Sequence, residues 1–239
     1  MVLKVAINGF GRIGRAAFRQ GWGNKGLVFA AINDLATPGI LAHLLKYDSV
    51  FRSFPFEVSF DDQHLIVDGK KIPVFGAKEP ATLPWGKMKI DVVLECSGRF
   101  TLEEQASGHL VAGAKAVVIS APSKDAPTFI MGVNQNKINS QDTLVNNGSC
   151  TTNSVAPVMA VLQEKFGVRK AMLTTIHSVT AEQNIVDGSP PVLHPDLRRA
   201  RSALVNMVPT STGAARATAS AMPELTGLFD GVAVRVPTL

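Results

Sequence analysis

A cysteine among small polar residues is the feature of the sequence best suited to covalent chemistry. Cys150 lies in residues 149–153 (SCTTN), immediately before an apolar helical pattern. Backbone N–H groups at a helix N-terminus stabilise a thiolate, and small polar neighbours argue against a buried structural cysteine. Cys96 lies within an apolar strand-like segment and is expected to be structural. The sequence therefore predicts one nucleophilic cysteine, Cys150.

A histidine could activate this thiol. His177 lies in residues 174–178 (TTIHS), within a strand-like run. A Cys/His pair activates a thiol at neutral pH, although an isolated histidine on a strand is more often a core or surface residue. Spacing alone does not show that the two side chains meet, so the Cys150–His177 pair is a hypothesis.

A glycine-rich loop near the N-terminus predicts a dinucleotide site. Residues 9–14 (GFGRIG) follow a buried strand and precede a helix, and Asp34 lies 20 residues beyond Gly14. Gly9 allows a tight turn, Gly11 lets the backbone approach a pyrophosphate, and Gly14 lets helix and strand pack closely. A carboxylate at Asp34 would bind the ribose hydroxyls and repel a 2′-phosphate. The pattern therefore favours NAD over NADP.

The elements around this loop indicate a doubly wound α/β domain. Continuous apolar runs predict buried strands at residues 2–8, 27–33, 91–95 and 116–120, and helical patterns cover 13–22 and 102–112. Alternation over residues 57–75 predicts a β-hairpin with its turn at Asp68-Gly69. Buried strands that alternate with helices form a parallel sheet covered on both faces. We assign residues 1–149 to this Rossmann-type domain.

The pattern changes after Cys150 to that of an α+β domain, which we assign to residues 150–239. Apolar residues at helical spacing continue to Phe166, Gly167 is a C-terminal cap, and Pro157 is expected to kink the helix or delay its regular start. We expect strands at residues 168–180 and 232–239, with a proline-rich loop at 188–195.

Composition excludes several classes of protein. The 46% hydrophobic and 18% charged residues argue against disorder. Two cysteines are too few for a disulfide framework, and no metal-ligand spacing surrounds them. The net charge of +5 is scattered, which makes nucleic acid an unexpected partner. Without a signal peptide or an apolar stretch of membrane length, the expected location is the cytoplasm, with no membrane contact.

Five motifs in order resemble one family, the phosphorylating glyceraldehyde-3-phosphate dehydrogenases. They are NGFGRIGR at 8–15, SCTTN at 149–153, TTIHS at 174–178, STGAA at 211–215 and RVPT at 235–238. The resemblance implies oxidation of D-glyceraldehyde 3-phosphate through a thioester on Cys150, with His177 as the general base. Inorganic phosphate would then release 1,3-bisphosphoglycerate, as in glycolysis and gluconeogenesis.

The same resemblance implies two sets of binding residues, although Lys78 stands where the family usually carries arginine. The NAD site would include Gly9, Phe10, Gly11, Arg12, Ile13, Gly14, Asp34, Lys78, Ser97 and Ser120. The two phosphate sites would include Thr180, Arg199 and Arg235 for the substrate, and Ser149, Thr151, Thr212 and Gly213 for inorganic phosphate. A homotetramer in the family-length form is also implied.

Several alternatives stay open. Family members continue well beyond RVPT, so we expect the catalytic domain to be incomplete at its C-terminus and the activity of the 239-residue chain to depend on this. Residues 194–199 (HPDLRR) also resemble erythrose-4-phosphate dehydrogenase, but residues 211–213 favour an inorganic phosphate site. A catalytically inactive NAD-binding or scaffold protein is the remaining alternative. A long loop at residues 188–192 leaves dual NAD and NADP use open.

Overall fold

The computed structural model describes residues 2–190 and 196–239, so most of the predicted proline-rich loop, residues 191–195, lies outside the described residues. The chain divides into two compact units. The first comprises Met1–Phe129 and Gln135–Gly148, and the second comprises Ile130–Asn134 and Ser149–Leu239. The functional division into residues 1–149 and 150–239 stays a prediction.

The first unit contains one eight-stranded sheet with helices between its strands. Its elements are β1 Leu3–Asn8, α1 Arg12–Gly21, β2 Leu27–Asn33, α2 Pro38–Lys46, β3 Val58–Phe60, β4 His64–Val67, β5 Lys70–Phe75, α3 Trp85–Met88, β6 Val92–Glu95, α4 Glu103–Ala106, α5 Gly108–Val111, β7 Ala116–Ile119 and β8 Leu144–Asn146. The strand order is β3-β4-β5-β2-β1-β6-β7-β8, parallel from β5 to β8. This arrangement confirms the predicted Rossmann-type fold.

Both faces of the sheet are buried because successive residues of β1 point to opposite sides. Val5 and Ile7 pack in one apolar cluster with Phe18 of α1, while Ala6 packs in a second cluster around Trp85. Continuous apolar strands are what a sheet covered on both faces requires. Connections leave β1 towards β2 on one side and β6 on the other, so the sheet has its topological switch point there, where ligands bind in this fold.

The predicted hairpin is a three-stranded antiparallel extension, because β3 pairs with β4 and β4 with β5. Its turn falls at Asp68 and Gly69, whose φ angles of 47° and 73° are both left-handed. Two-residue turns of this kind match the twist of the flanking strands. The predicted helix at 102–112 is interrupted at Ser107 and forms the two short helices α4 and α5.

The second unit contains a three-stranded sheet and two longer helices. Its elements are α6 Cys150–Phe166, β9 Ala171–His177, β10 Val208–Ser211, α7 Ala214–Ala221 and β11 Phe229–Arg235. Strand β11 lies in the centre, antiparallel to β10 and parallel to β9, and its register places Arg235 beside His177. Both predicted strands are therefore shorter or shifted: β9 covers less than residues 168–180, and β11 begins before 232 and ends at Arg235.

Pro157 does not delay the start of α6, contrary to that part of the prediction. The helix runs without interruption from Cys150 to Phe166, with Gly167 as its C-cap. Proline removes one backbone donor from a helix of 17 residues, and the Ser149 cap holds the first turn. Packing also stabilises the helix, since Met159 lies against Met222 and Leu225. Consequently Cys150 is the first residue of a regular helix.

Short 3₁₀ helices complete the described structure, at Pro80–Thr82, Gln135–Lys137, Leu197–Ala200 and Pro223–Leu225. Among the described residues, no helix combines the length and the apolar character needed to cross a bilayer.

Candidate active site

The glycine loop forms one wall of a cleft of about 420 Å³ at the carboxyl ends of the central strands. Gly9 has φ 89°, and a Cβ there would lie 2.5 Å from the Ser97 backbone nitrogen. A Cβ on Gly14 would lie 2.2 Å from the Gly9 carbonyl oxygen. Gly11 is the N-cap of α1, and a Cβ there would meet nothing within 4 Å. Each predicted glycine role thus has a matching local geometry, and the open side at Gly11 leaves room for a phosphate near the helix N-terminus.

Asp34 follows β2 and lies on the cleft. Its carboxylate accepts the Phe10 N–H at 2.7 Å and the Ala36 N–H at 2.9 Å. These bonds fix the carboxylate beside the glycine loop, where a ribose would meet it. The residues that line the cleft are Asn8, Gly9, Gly11, Asn33, Asp34, Leu35, Ala77, Lys78, Glu79, Cys96, Ser97, Arg99 and Phe100.

Five predicted NAD-site residues do not line this cleft. Gly14 packs against the loop, and the Phe10 side chain is buried in the core. Arg12 forms an ion pair with Asp48 and Ile13 is exposed. Ser120 donates its backbone N–H to the Glu95 carbonyl oxygen. The remaining five, Gly9, Gly11, Asp34, Lys78 and Ser97, lie together on the cleft.

In the second unit, α6 and β9 bring the predicted nucleophile and base together. The Cys150 Sγ lies 3.3 Å from the His177 Nε2, and Cys150 is exposed. Ser149 is the N-cap, and its Oγ accepts the Thr152 N–H at 3.0 Å. The thiol therefore lies at the positive end of a helix dipole within hydrogen-bond distance of an imidazole. The two residues meet although 27 positions separate them.

The partners of His177 fix its tautomer. Its Nδ1 lies 2.6 Å from the Ser178 carbonyl oxygen, which can only accept a hydrogen bond. Nδ1 therefore carries the proton in the neutral ring, and Nε2 presents a lone pair towards Cys150. The imidazole is set to receive the thiol proton. A cleft lined by Cys150, Thr151, His177 and neighbouring residues of α6 and β9 surrounds the pair.

The predicted substrate-phosphate residues form a charged cluster. Arg235 Nη1 donates to Thr180 Oγ1 at 2.7 Å, and Arg235 Nη2 lies 3.2 Å from Glu182 Oε1. Arg199 is also paired with Glu182. Burial, followed by the charge of Arg199, lowers the pKa of Arg235 below its usual value. Two guanidinium groups that share one carboxylate leave a net positive charge suited to an anion.

The predicted inorganic-phosphate residues lie at the beginnings of two helices. Ser149 and Thr151 lie at the start of α6, while Thr212 and Gly213 precede α7. Thr212 Oγ1 accepts the Ala214 N–H at 3.1 Å. Hydroxyl groups and backbone donors at helix N-termini suit phosphate oxygens.

Cys96 immediately follows β6 rather than lying within a strand, and it borders the dinucleotide cleft. It is only partly exposed, and burial raises the pKa of its thiol to about 11. A thiol with so high a pKa is a poor nucleophile at neutral pH. No cluster of three or more metal-ligating side chains occurs within the described ranges.

Sequence reasoning missed several polar residues of both sites. Asn8 and Asn33 line the dinucleotide cleft, and hydrogen bonds join them to Glu95, which does not line it. Glu182 pairs with both arginines. A usable signal was present, because Asn8, Asn33 and Glu95 each end an apolar buried strand. A polar residue at that place in a parallel sheet faces the ligand edge.

A dinucleotide cleft on a Rossmann-type sheet, in a chain that also holds a close Cys–His pair, fits the class of NAD-dependent oxidoreductases. Residues 3–103 match the family model described as the NAD binding domain of glyceraldehyde 3-phosphate dehydrogenase, and residues 149–239 match the model of its C-terminal domain. The chain belongs to the glyceraldehyde-3-phosphate dehydrogenase family, and NAD is the cofactor of its first domain.

Relatives resemble the chain along its whole length. It is 49% identical over 240 residues to the glyceraldehyde-3-phosphate dehydrogenase of Geobacillus stearothermophilus, covering 100% of this chain and 70% of that protein. It is 50% identical over 244 residues to the plasmid-borne enzyme of Cupriavidus necator, with 100% and 71% covered. It is 48% identical over 240 residues to glyceraldehyde-3-phosphate dehydrogenase 1 of Bacillus subtilis, and the match covers 100% of this chain and 70% of that protein.

Proposed function

We propose that the chain oxidises and phosphorylates D-glyceraldehyde 3-phosphate to 1,3-bisphosphoglycerate through a thioester on Cys150. The observation that carries this proposal is the 3.3 Å separation of the Cys150 Sγ and the His177 Nε2, with the His177 Nδ1 held by the Ser178 carbonyl oxygen. A base with this tautomer can take the thiol proton and return it later.

The residues divide the reaction into two stages. His177 removes the proton from Cys150, and the sulfur forms a bond to the aldehyde carbon. The imidazolium then returns this proton to the aldehyde oxygen, which gives a thiohemiacetal and leaves His177 neutral again. His177 then takes the hydroxyl proton as this adduct is oxidised to the thioester. In the second stage, a phosphate oxygen attacks the thioester carbon, the C–S bond breaks, and Cys150 leaves as the thiolate. The Cys150 N–H at the start of α6 is placed to stabilise the negative oxygen.

NAD, when bound, supplies the hydride acceptor. The fit of the first unit to this cofactor rests on the open space at Gly11, the positive φ of Gly9 and the fixed carboxylate of Asp34. Lys78 on the same cleft adds a positive charge for the cofactor's phosphates. We assign residues 1–149 to NAD binding and residues 150–239 to catalysis.

The charged cluster around Glu182 gives the second unit an anion site for the substrate. The Nε atoms of Arg199 and Arg235 are buried and have no hydrogen-bond partner among the described residues. Buried donors of this kind are costly unless an acceptor reaches them, and a phosphate group provides several. We therefore assign Thr180, Arg199 and Arg235 to the substrate phosphate, and Ser149, Thr151, Thr212 and Gly213 to inorganic phosphate.

Family membership also leads us to expect a homotetramer that works in the cytoplasm. The chain covers about 70% of the length of the relatives compared above. Size-exclusion chromatography with light scattering gives the mass directly, for comparison with the 25.4 kDa of one chain.

The test follows NADH absorbance after the chain is mixed with NAD, D-glyceraldehyde 3-phosphate and inorganic phosphate. Cys150→Ser and His177→Asn are the test variants, and His64→Asn on the β3–β5 extension is the matched control. We expect activity that Cys150→Ser abolishes, that His177→Asn lowers by about 100-fold or more, and that His64→Asn leaves unchanged. Omission of phosphate should stop turnover after one thioester per site.

Other outcomes distinguish the alternatives. A higher kcat/KM for erythrose 4-phosphate, with no dependence on inorganic phosphate, would assign the chain to that related activity. NAD binding with no acylation of Cys150 by the aldehyde, detected by mass spectrometry of the intact chain, would leave an NAD-binding protein without catalysis.

A further inference from the structure

Glu95 is a buried carboxylate that the proposed reaction does not use. It is the last residue of β6 and is 1% exposed. Its Oε1 accepts hydrogen bonds from the Ser97 N–H at 2.7 Å and from the Ser97 hydroxyl. Its Oε2 accepts from the Asn8 side-chain amide and from His109 Nε2, the latter at 3.0 Å. A buried carboxylate with four donors is an expensive group to place without a task.

The side of Glu95 away from the cleft is anchored by two buried rings. Trp85 Nε1, which can only donate, lies 3.0 Å from His109 Nδ1. His109 Nδ1 is therefore the acceptor, and its Nε2 carries the proton that Glu95 accepts. Neither ring lines the dinucleotide cleft. The anchor fixes the carboxylate from within the core.

The side of Glu95 towards the cleft holds three strand ends in one chain of hydrogen bonds. Asn8, at the end of β1, donates to Glu95 and accepts from Asn33, at the end of β2, at 2.7 Å. Asn33 exchanges bonds of 2.8 and 2.9 Å with the Ala77 backbone. These hydrogen bonds therefore join β6, β1, β2 and the segment that follows β5.

This hydrogen-bond network also fixes the position of the glycine loop. Gly9 packs so closely on the Ser97 backbone that a Cβ would come within 2.5 Å of the Ser97 nitrogen. Glu95 holds that same nitrogen. Any shift of Ser97 must therefore move Gly9 and the loop that follows it.

We propose that Glu95 is a positioning residue for NAD, which holds Ser97 and the glycine loop in the geometry that binds the cofactor without touching the cofactor itself. Glu95 is not among the residues that line the cleft, whereas Ser97, Asn8 and Gly9 are. The carboxylate thereby links cofactor affinity to a hydrogen-bond network inside the sheet.

The first experiment titrates the full chain with NAD by calorimetry and compares Glu95→Gln with the parent. In Glu95→Gln an NH2 group, which cannot accept a hydrogen bond, replaces one of the two carboxylate oxygens. The two donors that this oxygen bound therefore lose their acceptor. We expect NAD to bind about 10- to 100-fold more weakly, the range for loss of a hydrogen bond to a charged group.

The matched control is Asp91→Asn. Asp91 immediately precedes β6 at its opposite end and accepts the Lys4 N–H at 2.8 Å and the Lys115 Nζ at 2.7 Å. It should lower the thermal midpoint while leaving the NAD dissociation constant unchanged. Equal losses of affinity in Asp91→Asn and Glu95→Gln would overturn the proposal, because general destabilisation would then explain both.

A double-mutant cycle separates positioning from a merely structural role. Because His109 donates to Glu95 from outside the cleft, His109→Leu should add little to the loss of NAD affinity in Glu95→Gln, whereas independent effects multiply. Multiplying effects on NAD affinity would overturn the proposal. The cycle measures binding alone, so it succeeds or fails whatever the chain does to the aldehyde.

A second variant keeps the test open if Glu95→Gln does not fold. His109→Leu removes one donor to Glu95 from a position outside the cleft. NAD should bind about 3- to 10-fold more weakly because the carboxylate loses its anchor. A folded His109→Leu chain with the parent's NAD affinity would overturn the proposal.

Discussion

At the scale of single residues, the two cysteines show how surroundings decide the chemistry of one side chain. Cys150 begins a helix, is exposed and contacts an imidazole nitrogen. Cys96 follows a buried strand, and loss of water raises the pKa of its thiol to about 11. The sequence distinguished them through their neighbours, because small polar residues surround one and apolar residues precede the other. The meeting of Cys150 with His177 depends on the fold and was only a hypothesis beforehand.

Alkylation at pH 8 should therefore modify Cys150 and spare Cys96. With a pKa of about 11, roughly one Cys96 thiol in a thousand is ionised at that pH, and the thiolate is the reacting form. Raising the pH towards 11 should increase the Cys96 rate. Iodoacetamide labelling with peptide mass spectrometry gives both rates, and Cys150→Ser shows the Cys96 rate alone. Rapid labelling of Cys96 in the native chain at pH 8 would contradict the burial that raises its pKa.

At the scale of elements, the glycine loop needs its glycines for two different reasons, close packing within the protein and space for the ligand. Gly14 has no room because the Gly9 carbonyl occupies the place of a Cβ, whereas Gly11 has open space on the cleft. A single motif thus combines one glycine needed for packing with another needed for the ligand.

Gly11→Ala and Gly14→Ala should therefore differ in their effects. A methyl group on Gly14 would overlap backbone atoms, so we expect the free energy of unfolding to fall by about 1–3 kcal/mol. A methyl group on Gly11 meets no protein atom, and its φ of −75° suits alanine, so stability should change by less than about 0.5 kcal/mol. NAD should nevertheless bind about 10-fold more weakly to Gly11→Ala. Urea unfolding and NAD titration of both variants measure these effects, and equal stability losses would disprove the distinction.

The sequence predicted several elements with strong apolar patterns, but it missed α2 despite the apolar residues of Pro38–Lys46, and it missed elements that have no such pattern. Strands β1, β2, β6 and β7 are continuous apolar runs, and their positions were predicted to within one or two residues. Helix α7 is rich in alanine, threonine and serine, and β10 is four residues long, so neither shows a period. The hydrogen bond that Asn8 donates to Glu95 joins residues 87 positions apart. Such contacts depend on the strand order, which local pattern does not specify.

At the scale of the whole molecule, a modest positive charge is consistent with anionic ligands. The net charge of +5 is scattered, yet Lys78 lies on the NAD cleft and Arg199 and Arg235 share one carboxylate. Asp34 introduces a negative charge beside the glycine loop. The sign of the charge at each binding site therefore discriminates between ligands better than the net charge of the protein does. Cofactor choice is the property most directly controlled in this way.

NAD should stabilise the chain against heat more than NADP does, because the Asp34 carboxylate repels a 2′-phosphate. At a concentration 100 times its dissociation constant, NAD should add about 2.7 kcal/mol to the free energy of the cofactor-sensitive unfolding transition. Asp34→Asn removes the charge and keeps an oxygen that can accept one backbone N–H, so it should reduce the difference between the two cofactors. Differential scanning calorimetry with each cofactor measures the shift in unfolding temperature. The control variant Asp91→Asn, which removes a carboxylate at the opposite end of the strands, should preserve the preference for NAD. Equal stabilisation of the parent chain by NADP would show that Asp34 does not set the choice and that the 2′-phosphate finds a compensating cation on the same cleft.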